Sequence, residues 1–197
     1  IALSLAGPAV RLARGMTRPA AVAGEVTNSE AAAAAAARRS TIREALTDAN
    51  GRLLSLDERR GIKFTIREVE AQGYELGGSI KYRGNQGIDL WFNGVDQNVG
   101  RFALGEAKAS TGLGSLARDS TGIRQGSFEF FNTRLQRGGR LDLQQQLQSG
   151  NVDLFGGFSG PVVNGTFPKG KLYQFDPLIF NTDVNFRTTP GAAIRIR

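Results

Sequence analysis

Past residue 53 the apolar positions fall into rhythms that name elements. Over Leu56–Gln72 they include Ile62, Ile66 and Val69, one stripe of an amphipathic helix at i, i+4 and i+7. Gly73 is a natural stop for that helix. Tyr74–Tyr82 suits an extended segment, weakened by Gly77-Gly78, and Gly84-Asn85-Gln86-Gly87 signals a turn. Ile88-Asp89-Leu90-Trp91-Phe92 is β-prone and runs into a turn at Asn93-Gly94. Val99–Ala109 predicts the next strand, with Phe102 and Leu104 facing opposite to Ala103 and Gly105. A glycine- and serine-rich loop over 111–120 precedes a helix predicted for Thr121–Arg137, in which Phe128, Phe131 and Leu135 share a face. Leu141–Gln148 predicts a shorter helix ending at Gly150. Beyond it lie short strand-like pieces separated by turn residues: 161–163, 171–175, 184–186 and 193–196. With no internal repeat, this order predicts a mixed α/β (α+β) domain.

The first 50 residues differ. They hold the run Ala31–Ala37, which favours a helix continuing through Ile42 and Leu46, and few large apolar side chains. The expected division is an alanine-rich helical extension or linker over 1–50, followed by one domain over 51–197. The opening Ile1-Ala-Leu-Ser-Leu is apolar but short, has no basic leader and does not start with Met. It reads as a fragment boundary rather than a signal peptide. No apolar run approaches the ~18 residues of a membrane helix.

Composition changes the picture mainly by what it lacks. The 197-residue chain carries a net charge of +7 and contains neither histidine nor cysteine. Imidazole bases, thiol nucleophiles, disulfides and His- or Cys-ligated metals are therefore excluded. Acid, base and ligand chemistry is left to carboxylates, Lys, Tyr and Ser/Thr, and carboxylates prefer hard cations, magnesium above all. The positive charge favours polyanionic partners.

One constellation fits that chemistry. Asp89 is followed by Glu106-Ala107-Lys108. Strand alternation points Glu106 and Lys108 to one face and Ala107 to the other. If the two strands pair antiparallel, Asp89 and Glu106 meet, and with the Ala107 carbonyl and water they make a hard-cation site. Such an ion polarises a phosphodiester and lowers the pKa of its bound water; Lys108 can orient or deprotonate that water and offset developing charge. An exposed hairpin with ordinary surface charges would show the same bare pattern. Asp89, however, sits inside Gly-Ile-Asp-Leu-Trp-Phe, where an unpartnered charge is costly. Gly112-Leu-Gly114 lacks the residues of a nucleotide-binding loop. Phe128, Phe130 and Phe131 offer base-stacking faces, but their helical spacing assigns at least two of them to the core. Arg118, Arg124, Arg134 and Lys63 are candidate phosphate contacts, each equally readable as surface charge.

Gly73-Tyr74 after a helix, Tyr82-Arg-Gly-Asn-Gln-Gly-Ile-Asp89-Leu, Gly105-Glu-Ala-Lys108 and Arg124-Gln125-Gly126-Ser127 together resemble the PD-(D/E)XK nuclease domains of bacterial polymorphic toxins, over about residues 53–137. Those toxins are the payloads of contact-dependent inhibition, Rhs and type VI effector systems. The resemblance implies a restriction-endonuclease-like fold, a central mixed β-sheet flanked by helices. It implies a magnesium-dependent endonuclease, with manganese able to substitute. Asp89, Glu106 and Lys108 would be its catalytic core, with Gln125 in support. A Glu from the first helix would join Asp89, Glu106 and Ala107 at the metal; among Glu58, Glu68 and Glu70, Glu58 lies beside the apolar stripe and Glu68 on the side expected to be solvated. The implied setting is delivery by a bacterial secretion system, action on DNA in the target-cell cytoplasm, and neutralisation by a cognate immunity protein. RNA, tRNA included, is the alternative substrate, and a non-catalytic basic nucleic-acid-binding module the alternative class.

Overall fold

The computed structural model describes residues 28–82, 86–160, 162, 164, 169–178, 180 and 192–196. Helix α1 (Asn28–Ala45) carries the alanine run, which stays exposed; only its end is covered, where Ala45 and Leu46 pack beside Tyr74 and Leu76. An ion pair, Arg38–Glu70 at 2.6 Å, links α1 to the helix that follows.

That helix, α2 (Leu56–Glu70), starts where local chemistry dictates. Ser55 Oγ accepts from the Glu58 N–H at 3.3 Å, and Glu58 Oε2 accepts from the Ser55 N–H at 3.0 Å. This reciprocal capping box satisfies two donors left over by the first turn. The predicted stripe Ile62, Ile66 and Val69 is buried. One expectation fails: Glu68 is 1% exposed, not solvated. The small Gly61 and Thr65 let α2 lie close against two strands, so its buried arc is wider than the stripe and takes in Glu68, which Arg67 pairs at 2.6 Å.

Six strands form one mixed sheet in chain order: β1 (Tyr74–Tyr82), β2 (Gln86–Gly94), β3 (Phe102–Lys108), β4 (Val152–Phe158), β5 (Lys171–Phe175) and β6 (Ala193–Arg195). All neighbours are antiparallel except β3 and β4. That parallel pair needs a crossover, supplied by α3 (Phe128–Arg137) and α4 (Leu141–Gln148). The α2 face of the sheet buries Leu90, Phe92, Ala103, Phe155 and Leu172; the α3–α4 face buries Leu104, Phe131, Leu135, Leu143 and Leu154.

Several predicted elements shift. Gly77-Gly78 does not break β1, because the Trp91 indole lies where a Gly77 side chain would be, 2.3 Å from an added Cβ; the register is irregular there. Gln86 and Gly87 belong to β2 rather than to a free turn, while 83–85 lie outside the described residues. The helix predicted from Thr121 begins only at Phe128. Gly126 has φ +83°, and Ser127 caps α3 by accepting from the Phe130 N–H at 3.2 Å. Strand β4 adds to the expected strands and runs through Gly156-Gly157, a pair typical of turns; both glycines make room here for Phe175 and Thr65. Strands expected at 171–175 and 193–196 are present as β5 and β6. The strand expected at 184–186 lies outside the described residues, as do Pro161 and Val163, and Val162 is not in a strand. Among the described residues no helix is long and apolar enough to cross a membrane.

Candidate active site

The β2–β3 ladder ends at the pair Leu90–Gly105. Asp89 and Glu106 are the next opposed positions, and cross-strand neighbours share a face. In place of a ladder bond, Asp89 Oδ2 accepts from the Ala107 N–H at 2.8 Å. Two residues on, Lys108 Nζ reaches Glu106 Oε1 at 2.7 Å. Alternation thus brings Asp89, Glu106 and Lys108 together where the two strands stop pairing, with Ala107 turned into the α2-side core. Gly87 sets this up. Its φ is +151°, and a Cβ there would lie 1.8 Å from the Ile80 carbonyl oxygen, so only glycine lets β2 approach β1 just before Asp89.

These residues line a cleft of about 300 Å³, shared with Leu54, Glu58, Ile62, Lys81, Gly87, Gln125, Phe130 and Arg134. Every residue expected at the site borders it: Asp89, Glu106, Ala107, Lys108, Gln125 and Glu58. Of the four basic candidates only Arg134 does. Lys63 is exposed on α2, while Arg118 and Arg124 donate to the Gly122 and Leu116 carbonyls. Phe130 and Phe131 are 3% and 0% exposed, core residues as their spacing implied. Glu58 sits at the rim, with Oε2 also accepting from Ser55 Oγ at 2.7 Å.

Two cations complete the cleft. Arg134 donates to Tyr82 Oη at 3.1 Å and to Asp119 Oδ2 at 3.0 Å, and lies over the Phe130 ring at 4.9 Å. Lys81 escaped the sequence reading. Its Nζ donates to the Ala45 carbonyl at 2.8 Å and to the Thr47 carbonyl, joining the end of α1 to the cleft. The only local signal is a lysine between the apolar Ile80 and Tyr82 at a strand end. Helix α2 closes one wall at short range: a Cβ on Gly61 would stand 3.0 Å from the Lys108 carbonyl carbon.

The electrostatics follow from burial and from the two facing acids. Burial pushes the Glu106 carboxyl up to about 7, and Asp89 adds to the rise against the pull of Lys108. Burial works to lower the Lys108 ammonium, but Glu106 and Asp89 outweigh it and hold it above its ordinary value. Burial draws Lys81 below its ordinary value despite the opposing pull of Asp89.

A buried carboxyl whose proton affinity is raised further by a carboxylate opposite it matches what a hard cation relieves. An extended residue projects its N–H and C=O to the same edge, so the Ala107 carbonyl lies on the Asp89 side of β3. Among the described residues no group of three or more acids stands close enough to hold a metal ion. The oxygen donors gathered at the end of the ladder are Asp89, Glu106 and the Ala107 carbonyl, while Glu58 lines the same cleft with its Oε2 engaged in the cap at Ser55. Compared with known proteins, the chain matches no family model, no curated protein and no solved structure.

Proposed function

We propose that this chain is a metal-dependent nuclease of the PD-(D/E)XK type that hydrolyses phosphodiester bonds, DNA first among substrates. The observation that carries the reading is the opposition of Asp89 and Glu106 at the end of the β2–β3 ladder, with Lys108 2.7 Å from Glu106. A mixed sheet flanked by helices, with the acid on β2 and the Glu-Ala-Lys triplet on β3, agrees with a restriction-endonuclease-like fold. Asp89, Glu106 and the Ala107 carbonyl would hold magnesium. The bound ion supplies Lewis-acid polarisation and an acidified water. Lys108, kept protonated by its two carboxylates, offsets the negative charge that grows on phosphorus's oxygens. Gln125 and Arg134 line the same cleft and present donors to phosphate oxygens. The resemblance to polymorphic-toxin payloads supports the biological setting: delivery into a competing cell and neutralisation by an acidic immunity protein.

The test offers plasmid DNA, total RNA and tRNA to the purified protein with magnesium and with chelator. Magnesium-dependent cleavage of plasmid that stops in chelator is expected, and Asp89→Ala or Lys108→Ala should abolish it. Cleavage surviving either substitution sinks the assignment. Cleavage of RNA alone moves the substrate and leaves the site in place.

A further inference from the structure

Outside the cleft, one band of α2 carries four cations, with the exposed Leu56 and the Arg38-paired Glu70 among them. At 100° per residue, Arg59, Lys63, Arg67 and Arg60 fall within an arc of about 100° that starts about 60° around the helix from cleft-lining Ile62. Arg60 is held by Asp57 at 2.9 Å and by the Gly160 carbonyl at 3.3 Å. Lys63 is exposed, and the Arg67 side chain is 71% exposed although it pairs with Glu68. At the far side of the arc the Phe64 ring lies on Gly170, where an added Cβ would be 2.1 Å away, and this sets the exposed Lys169 against the same helix.

We infer that this band is the path of the nucleic-acid backbone away from the cleavage cleft, an extension of the nuclease reading that rests on it. A cleft of about 300 Å³ is at the small end of ligand pockets. It holds the reacting phosphate and its nearest neighbours, and the rest of a polymer must cross adjoining surface. Arg59 to Arg67 spans about 12 Å along the helix axis, the length over which duplex DNA presents about seven phosphates. The face does not suit a lipid surface, because an interfacial helix turns its apolar side outward and α2 buries Ile62, Ile66 and Val69 in the core.

The experiment measures binding in chelator, without cleavage, using a labelled duplex and its single strand between about 50 and 200 mM salt. Lys63→Gln with Lys169→Gln removes two phosphate contacts, so the slope of log affinity on log salt should shrink by about 1.8 for duplex or about 1.4 for single strand. Arg39→Gln with Arg137→Gln, equal in charge and exposed elsewhere, should leave the slope in place. An unchanged slope in the first pair, or an equal loss in the second, overturns the inference. So does tighter binding of phosphatidylserine vesicles or polyglutamate than of DNA through the same lysines. A lost slope effect with intact magnesium-dependent cleavage sinks this surface alone. An intact effect with no cleavage of any substrate sinks the nuclease reading alone.

Discussion

Gly61→Ala separates helix propensity from the fit of the cleft. In an exposed helix interior the change gains about 1 kcal/mol. Here the new Cβ would meet the Lys108 carbonyl carbon at 3.0 Å, the Lys108 oxygen at 3.2 Å and the Ala109 nitrogen at 3.3 Å. All three are backbone atoms, so none can swing aside. Either α2 or the end of β3 must move by about half an ångström, and overpacking of this kind costs about 1–3 kcal/mol. The two effects nearly cancel or leave a net loss of up to about 2 kcal/mol, a fall in Tm of at most about 8 °C for a chain of this size. Activity should suffer more. A misplacement of about 1 Å at a catalytic group costs about a hundredfold, so half of that predicts roughly a tenfold drop in kcat/KM. Thermal unfolding and magnesium-dependent plasmid cleavage measure both quantities on one preparation. A variant stabilised by about 1 kcal/mol with unchanged cleavage would refute the argument, because α2 would then not bear on the Lys108 segment.

Three further outcomes follow from the same contacts. Burial tends to raise the Asp119 carboxyl, but donors from Thr121 and Ile123 and the charge of Arg134 outweigh it and hold it low. A depressed carboxylate contributes stability above its unfolded pKa that is lost as pH falls through the folded value, so Asp119→Asn should flatten the acid limb of urea midpoints below about pH 4. Arg134→Lys loses the fork that binds Tyr82 and Asp119 together and should cost about 1–3 kcal/mol of stability, read as a lower Tm, with weakened cleavage; an unchanged Tm contradicts the network. Burial, with help from Asp153, pushes the Tyr74 phenol up to about 12. Stability from the neutral phenol is present below about pH 10 and lost as pH rises through 12, and Tyr74→Phe should remove the late-titrating tyrosine from the ultraviolet titration.

What could be read from the chain itself came from local rules. The start of α2 at Leu56, the shared face of Glu106 and Lys108, and the inward turn of Ala107 follow from apolar periodicity and from strand alternation. The lack of histidine and cysteine by itself restricts any metal to oxygen ligands. The remaining features depend on residues far apart in sequence. Gly156-Gly157 belongs to a buried central strand only because Phe175 and Thr65 fill the space beside it. Glu68 is buried because α2 lies flat on two strands, a packing that no helical wheel encodes. Lys81 and Arg134 reach the cleft through the end of α1 and the loop at Asp119. Residue type and spacing determined which groups could do the chemistry and which way they point along one strand. Tertiary structure alone decided which charges surround them and how far they are dried, because burial and long-range pairing are properties of the assembled sheet rather than of any segment.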